Sequence, residues 1–300
     1  MVFMRARSMI FMISQVDYSI EKEASKIRNV NMVRLDTLMT ERGLAESRSQ
    51  AQRLIMAGEV RVNGEVVLKP SHKISAQSEV IVKQPPRYVS RGGEKLETAL
   101  GAFDLKDLSG LVCADVGAST GGFTDCLLQH GAEKVYAVDV GYGVLHWKLR
   151  KDERVISMER TNARTLRALP EQVDLVTIDA SFISLRYLLP VVKNWLAMPN
   201  GILLALVKPQ FEAGRAESAR GEGVIRDPAI HRRILEDVIE FAVCEGFAVC
   251  GLIRSPLLGP KGNVEFLLYL RTGEKRCDYS VLIDQVLAGG NMDGAVPPMF

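Results

Sequence analysis

The chain has 300 residues, 47% apolar and 25% charged, with a formal net charge of +2. That length suits two domains, one large enough for a substantial core, and the composition is that of a soluble globular protein. The longest apolar run in the body, 202–207, is far too short to cross a bilayer. The N-terminal run 9–13 is shorter than a secretory signal core, so a cytoplasmic protein without membrane association is expected.

Five cysteines (113, 126, 244, 250 and 277) show no C-x-x-C spacing and read as thiols of a reducing compartment. The four histidines are scattered, and no metal site is expected. The net charge conceals an asymmetry. Residues 1–95 hold sixteen Lys and Arg against ten Asp and Glu, whereas the remainder holds 22 against 26. A basic front on a mildly acidic body suits contact with a polyanion.

Residues 1–31 show no sustained period and are read as an N-terminal extension. Residues 33–83 read as a compact α+β unit. Leu35, Leu38 and Met39 form a helical face, and Gly43 stands where a C-cap is expected. Ser47 and Gln50 make a capping box for a second helix carrying Ala51, Leu54 and Ile55. Val60-Arg61-Val62, Asn63-Gly64 and Glu65-Val66-Val67 read as a hairpin, because Asn and Gly tolerate the positive φ angles of a two-residue turn. Ile74 and the run 80–82 suggest one or two further short strands.

The motifs Arg34-Leu35-Asp36, Ser47-Arg48-Ser49-Gln50-Ala51, Ala57-Gly58, Val60-Arg61-Val62-Asn63-Gly64 and Lys69-Pro70 resemble the S4-like RNA-binding domain. The resemblance implies that Arg34, Arg48 and Lys69 contact RNA phosphates. Pro85-Pro86 then breaks the chain, and residues 84–94 are read as a linker. Lys95 opens a helical segment at 96–100.

From residue 95 to about 275 strands and helices alternate. Strands are expected at 111–115, 135–139, 155–158, 175–179, 202–207, 247–252 and 265–269, and helices at 122–130, 188–197 and 229–245. That is an α/β, Rossmann-like doubly wound sheet, its strands apolar on both faces. The pattern fades after about residue 272, and 276–300 is read as a loose tail.

The organising stretch is Asp115-Val116-Gly117-Ala118-Ser119-Thr120-Gly121-Gly122: strand, glycine turn, helix. Taken alone, such a turn fits NAD, FAD and S-adenosylmethionine equally. Its spacing, Gly-x-x-x-Gly-Gly, departs from the G-x-G-x-x-G that suits a pyrophosphate. The departure favours a ligand with a ribose and a charged amino-acid tail, S-adenosylmethionine. Asp139, about 20 positions on at the end of the second strand, is placed to bind ribose hydroxyls.

Three further motifs stand at strand ends: Asp179-Ala180-Ser181-Phe182, Lys208-Pro209-Gln210-Phe211-Glu212, and Gly259-Pro260-Lys261-Gly262-Asn263-Val264-Glu265. With Lys95 they supply two lysines and two carboxylates. A ribose 2′-hydroxyl must lose its proton to attack a methyl group. An ordinary lysine, near pKa about 10.4, is already protonated at neutral pH. Desolvation and a neighbouring cation lower that value and make the amine a usable base.

This Lys, Asp, Lys, Glu set resembles that of ribose 2′-O-methyltransferases related to FtsJ. Together with the small basic unit and Ser90-Arg91-Gly92-Gly93-Glu94-Lys95-Leu96, it resembles the TlyA family over roughly residues 33–270. The resemblance implies S-adenosylmethionine-dependent 2′-O-methylation of cytidine in ribosomal RNA, in the large subunit and in some members the small. Lys208 is then the general base, Asp179 orients it, and Lys95 and Glu265 complete the network. Asp115, Gly117, Ser119 and Gly121 lie at the cofactor's amino-acid moiety, Asp139 at its ribose and Asn162 at its adenine. The family has also been called haemolysins, but a lytic protein needs an apolar or strongly amphipathic membrane segment, and none is evident. A non-catalytic ribosome-assembly factor would carry a damaged tetrad or glycine turn, and both are intact. Residues 221–227 are expected to form a loop near the site.

Overall fold

A computed structural model describes residues 32–83, 86–214, 217, 221–273 and 278–289. The N-terminal extension 1–31, the start of the linker at 84–85, Cys277 and the tail beyond 289 lie outside the described residues. The chain divides into two compact units at Pro85–Pro86.

The smaller unit opens on β1 (Met32–Arg34) and α1 (Leu35–Glu41), followed by α2 (Arg48–Met56). It closes on four short strands: β2 (Val60–Val62), β3 (Glu65–Val66), β4 (Lys73–Ser75) and β5 (Val80–Val82). Ser47 Oγ accepts from the Gln50 amide at 3.2 Å, which makes the N-cap bond, while Gln50 Oε1 reaches back one residue further and accepts from the Glu46 amide at 2.7 Å. Asn63 and Gly64 take φ angles of 49° and 88°, and the hairpin closes with Val62 opposite Glu65. The core is Leu35, Leu38, Met39, Ala51, Ile55, Val60, Ile74 and Val80. Strand β1 has no signature in the sequence. Three residues carry no readable period, and only pairing with β4, Val33 opposite Ile74, makes them a strand.

The larger unit is built on a seven-stranded sheet. Its strands are β6 (Val112–Val116), β7 (Lys134–Val138), β8 (Val155–Met158), β9 (Leu175–Ile178), β10 (Ile202–Val207), β11 (Phe247–Arg254) and β12 (Phe266–Thr272). They run in the order β11-β12-β10-β9-β6-β7-β8. Strands β6 to β10 pair in parallel, and β12 is antiparallel to both β10 and β11. Alternate residues of β10 face opposite cores: Leu203, Ala205 and Val207 join one cluster, Leu204 and Leu206 others. That is why these strands read as continuous apolar runs.

Helices α3 (Gly92–Ala102) and α4 (Gly122–Gln129) cover one face through Leu96, Leu100, Phe123 and Leu127. Helices α5 (Trp147–Arg150), α6 (Leu189–Lys193) and α7 (Pro209–Glu212) are short. Helix α8 (Pro228–Cys244) covers the other face together with α9 (Tyr279–Leu287).

Three local expectations change. Gly92–Glu94, read as linker, form the first turn of α3. The helix expected at 188–197 is a 3₁₀ turn, Leu185–Tyr187, followed by the shorter α6. The region read as tail contains α9, which buries Leu282, Ile283 and Val286 and is capped by Asp278 accepting from the Ser280 amide. Nine residues with one cap are weak evidence in sequence, and burial against the core settles the conformation.

Candidate active site

In an open α/β sheet, ligands bind beyond the carboxyl ends of the strands where the strand order reverses. Here that point is the β6–β9 boundary. Gly117 follows β6, Asp139 follows β7, Asp179 follows β9 and Lys208 follows β10, so all four stand on the same edge. Glu265 reaches that edge for the opposite reason. It precedes β12, whose first residue Phe266 pairs with Val207 at the end of β10.

The glycine turn depends on close approach. Gly117 has a φ of 83°, and a Cβ there would lie 2.7 Å from the Asp179 carbonyl oxygen. A Cβ on Gly122 would lie 2.9 Å from the Gly93 amide nitrogen, so the starts of α3 and α4 meet backbone to backbone. A side chain at either position would push the cradle open.

The cavity above this edge has a volume of about 800 Å³ and is lined by Gly117, Ser119, Lys95, Asp179, Lys208 and Glu265, among others. That size holds a nucleoside-sized ligand. Two ion pairs divide its floor. Lys208 Nζ lies 2.5 Å from Asp179 Oδ1 and donates to Ser181 Oγ at 3.0 Å. Lys95 Nζ lies 2.5 Å from Glu265 Oε2. Both lysines are buried, and Glu265 is 1% exposed. Glu265 Oε1 is buried without a hydrogen-bond partner, so one acceptor in the cavity wall stands open.

The Asp179 and Lys208 motifs are joined at three points. The Lys208–Asp179 pair is the first, and the Phe182 and Phe211 rings, 5.0 Å apart, are the second. The third is Glu212, which accepts from Ser184 Oγ at 2.6 Å and from the Leu185 amide at 2.8 Å. Burial pushes the Glu212 carboxyl above its usual range. Phe182 has a φ of 65° and is 90% exposed, so a strained backbone presents a bare ring at the cavity. No local pattern singles out Ser181, Phe182 or Glu212. Their spacing within the two motifs was visible, but the cross-links were not.

The remaining candidates are placed as follows. Asp139 accepts from the Ser119 amide at 2.8 Å and from the Gly141 amide at 2.7 Å, which ties the glycine turn to the loop after β7. Asp139 and Ser119 line a small recess beside the cavity. Asn162 accepts from the Arg164 amide at 3.1 Å, capping a 3₁₀ turn, and does not line the large cavity. Gly121 takes a φ of 96° and is the N-cap of α4.

Asp115 does not line the cavity either. It is fully buried beneath the turn, where its carboxylate accepts from Thr124 Oγ1 at 2.7 Å and from Thr177 Oγ1 at 3.0 Å. Desolvation raises its pKa to about 6, against those two hydrogen bonds. A folded-state value above that of the unfolded chain means that the protonated carboxyl stabilises the fold. This contribution is complete below about pH 4 and lost as the pH rises through about 6, a difference of roughly 3 kcal/mol. Asp115→Asn removes that loss, so its melting temperature falls less than wild type between acid and neutral pH. Tryptophan fluorescence checks this, since both tryptophans, Trp147 and Trp195, lie in the larger unit. Equal slopes for the two proteins would refute it.

Near the junction, Tyr88 Oη donates to Glu97 Oε2 at 2.5 Å, Arg87 pairs with Glu97 Oε1 at 2.9 Å, and His130 Nε2 lies 3.2 Å from Oε2. Glu97, Cys126 and His130 offer ligand atoms within 4.8 Å of one another, a grouping invisible in the scattered histidines of the sequence. Tyr88, Arg87 and His130 already surround the Glu97 carboxylate, and this accounts for the cluster as a hydrogen-bonded network.

The segments after β7 and β9 carry exposed aromatics, under cations from the segments after β7 and β8. Arg160 lies 4.2 Å from the Tyr142 ring centroid, Arg164 4.9 Å from Tyr187, and Lys151 5.4 Å from Trp147. Residues 140–167 hold seven Lys and Arg against three Asp and Glu, in a unit that is acidic elsewhere.

In the smaller unit, Asp36 is fully buried. It accepts from Arg34 Nε and Nη2, Arg48 Nε and Gln52 Nε2, all at 2.8–3.0 Å. The Arg34 guanidinium holds its carboxyl far below the usual range. Bonds from the Leu35 and Asp36 amides to the His72 and Pro70 carbonyls bring the turn carrying Lys69 to the start of α1. The three predicted phosphate contacts therefore share one end of the unit, and Asp36 organises two of them.

The profile of the FtsJ-like methyltransferases matches residues 88–272, and that of the S4 domain matches 33–80. A Bacillus subtilis protein, YqxC, provisionally named as an rRNA methyltransferase, is 52% identical over 244 residues, 79% of this chain and 85% of its own. The 16S/23S rRNA (cytidine-2′-O)-methyltransferase TlyA of Mycobacterium tuberculosis is 46% identical, over 81% of this chain and 91% of its own. Hemolysin A of Brachyspira hyodysenteriae is 43% identical, over 79% and 99%. A solved structure from Streptococcus thermophilus, provisionally described as a hemolysin, aligns with a TM-score of 0.66 at 46% identity, over 87% of this chain and 96% of its own. With both profiles in the order that the motifs demand, and identity sustained across both units, this chain belongs to the TlyA family of the FtsJ-like methyltransferases.

Proposed function

We propose that this protein transfers the methyl group of S-adenosylmethionine to the 2′-hydroxyl of a cytidine in ribosomal RNA, acting on ribosomal subunits in the cytoplasm. The observation that carries this reading is the convergence of Lys95, Asp179, Lys208 and Glu265 on one cavity beside the glycine turn. S-Adenosylmethionine supplies an electrophilic methyl group on a sulfonium. The turn at Gly117, where a Cβ would strike the next strand's carbonyl, fits a ligand pressed against backbone. Asp139 suits its ribose, and Gly117, Ser119 and Gly121 its amino-acid end.

Lys208, in its neutral amine form, takes the hydroxyl proton as the oxygen attacks the methyl group. Asp179 and Ser181 hold its Nζ in place, and the buried surroundings keep water from competing with the hydroxyl. Glu265 Oε1, open and desolvated, accepts a hydrogen bond from the target sugar, while Lys95 holds the other oxygen. Phe182 offers a face on which a base turned out of its stack can lie. Arg34, Arg48 and Lys69 contact phosphates, which fits the basic composition of the front of the chain. The smaller unit thus recognises RNA and the larger unit carries out the transfer. Among the described residues no helix is long and apolar enough to cross a membrane, so the haemolysin name carried by relatives finds no support in a spanning helix.

The test is transfer of labelled methyl from S-adenosylmethionine to separated ribosomal subunits lacking the modification. Label in RNA that makes one linkage resistant to alkali supports a 2′-O-methyl product. Bound cofactor with no label on either subunit would overturn the assignment of substrate.

A further inference from the structure

The cavity holds more positive charge than its ion pairs use. Lys95 is matched by Glu265 and Lys208 by Asp179. Arg91 and Lys261 also line the cavity, and neither forms an ion pair among the described residues. S-Adenosylmethionine, with a sulfonium, an ammonium and a carboxylate, is itself a net cation. Adding it to two surplus cations leaves positive charge that suits an anionic substrate.

The two cations stand on different elements. Arg91 precedes Gly92, whose Cα lies 3.2 Å from where a Cβ on Gly122 would be, so it borders the glycine turn. Lys261 lies in the turn before β12. Strands β10 and β9 stand between β12 and β6, which puts the two strand ends roughly 14 Å apart at the usual inter-strand spacing. Lys261 is therefore on the acceptor side, beside Glu265 and away from the cofactor's amino-acid end.

Its turn is held firmly. The Gly259 amide donates to the Asn263 carbonyl at 2.9 Å, and the Gly262 amide to the Gly259 carbonyl at 2.8 Å. Asn263, 2% exposed, donates from Nδ2 to the Gly223 carbonyl at 2.8 Å and accepts at Oδ1 from the Ile225 amide at 2.9 Å. His231 Nε2 donates to the Ile225 carbonyl at 3.0 Å. The loop at 221–225 and the Lys261 turn thus form one wall, and Lys261 Nζ lies 3.5 Å from the point that a Cβ on Gly223 would occupy.

We propose that Lys261 is a positioning residue that neutralises a phosphate flanking the target nucleotide, fixing the ribose against Glu265 and Lys208. This rests on the RNA 2′-O-methyltransferase reading above. It is distinct from the tetrad, because Lys261 has no part in moving the proton or the methyl group.

The experiment measures KM for ribosomal subunits lacking the modification across a series of KCl concentrations, with calorimetric binding of S-adenosylmethionine beside it. Full-length wild type, Lys261→Ala and Lys261→Arg are compared. Lys261→Ala raises KM roughly three- to tenfold and lowers the log–log salt slope by about 0.7–0.9, the signature of one lost phosphate contact. Lys261→Arg restores both, and cofactor affinity stays at the wild-type value. Unchanged KM and salt slope in Lys261→Ala would make it a solvated surface lysine and overturn the proposal, as would weakened cofactor binding. A wild-type protein that methylates neither subunit would instead bring down the reading beneath it.

Discussion

Lys208→Ala lowers kcat for methyl transfer by about 10²–10⁴-fold, the usual contribution of a positioned general base, and leaves S-adenosylmethionine affinity unchanged. The amine stands 2.5 Å from Asp179 and 3.0 Å from Ser181, on the floor of the cavity and beyond the glycine turn. Lys208→Arg separates two roles that alanine confounds. A guanidinium keeps the positive charge and the ion pair with Asp179 but cannot give up its proton near neutral pH. Single-turnover rates with labelled cofactor make the comparison. If Lys208 is the base, the arginine variant is as slow as the alanine variant. An arginine variant with near wild-type rate would mean that the lysine acts only through its charge.

Glu265→Ala destabilises the larger unit by about 3–5 kcal/mol, because it leaves the buried Lys95 ammonium without its partner. The double variant Lys95→Met/Glu265→Leu recovers most of that loss, since an apolar pair of similar volume avoids the desolvation of two charges. It does not recover methyl transfer. Urea titrations followed by tryptophan fluorescence read the larger unit alone. A double variant no more stable than the single would mean that the cost comes from lost packing. A double variant with full activity would remove the pair from the chemistry. Stability restored with activity absent identifies a pair retained for function at the expense of stability.

Local order was legible wherever one residue's chemistry decides a conformation. Asn63-Gly64 announced the hairpin because two consecutive positive φ angles suit few other residues, and Ser47 with Gln50 announced a helix start because their side chains satisfy free backbone groups. The sheet of the larger unit was legible from apolar runs that end in Asp115, Asp179 or Lys208, since a strand buried on both faces has no other readable form. Strand β1 and helix α9 were not, because each is held by packing against residues far along the chain.

The candidate site divides in the same way. Its residue types follow from motifs that the chain spells out at Lys95, Asp115–Gly122, Asp179, Lys208 and Glu265, each recognisable within a few residues. Their pairing does not. Lys95 and Glu265 are 170 positions apart and meet only because α3 packs on the sheet while β12 runs against its neighbours, carrying a residue that begins a strand to the edge where other strands end. The burial of Asp115 beneath the turn, the bare ring of Phe182 and the Glu212 cross-link likewise depend on neighbours that no local pattern names. Sequence by itself determined which groups are available and the local backbone that presents them, because those depend on short-range sterics and hydrogen bonding. Tertiary structure alone decided which charges face each other and which are stripped of water, because burial and pairing belong to the assembled sheet and not to any one segment.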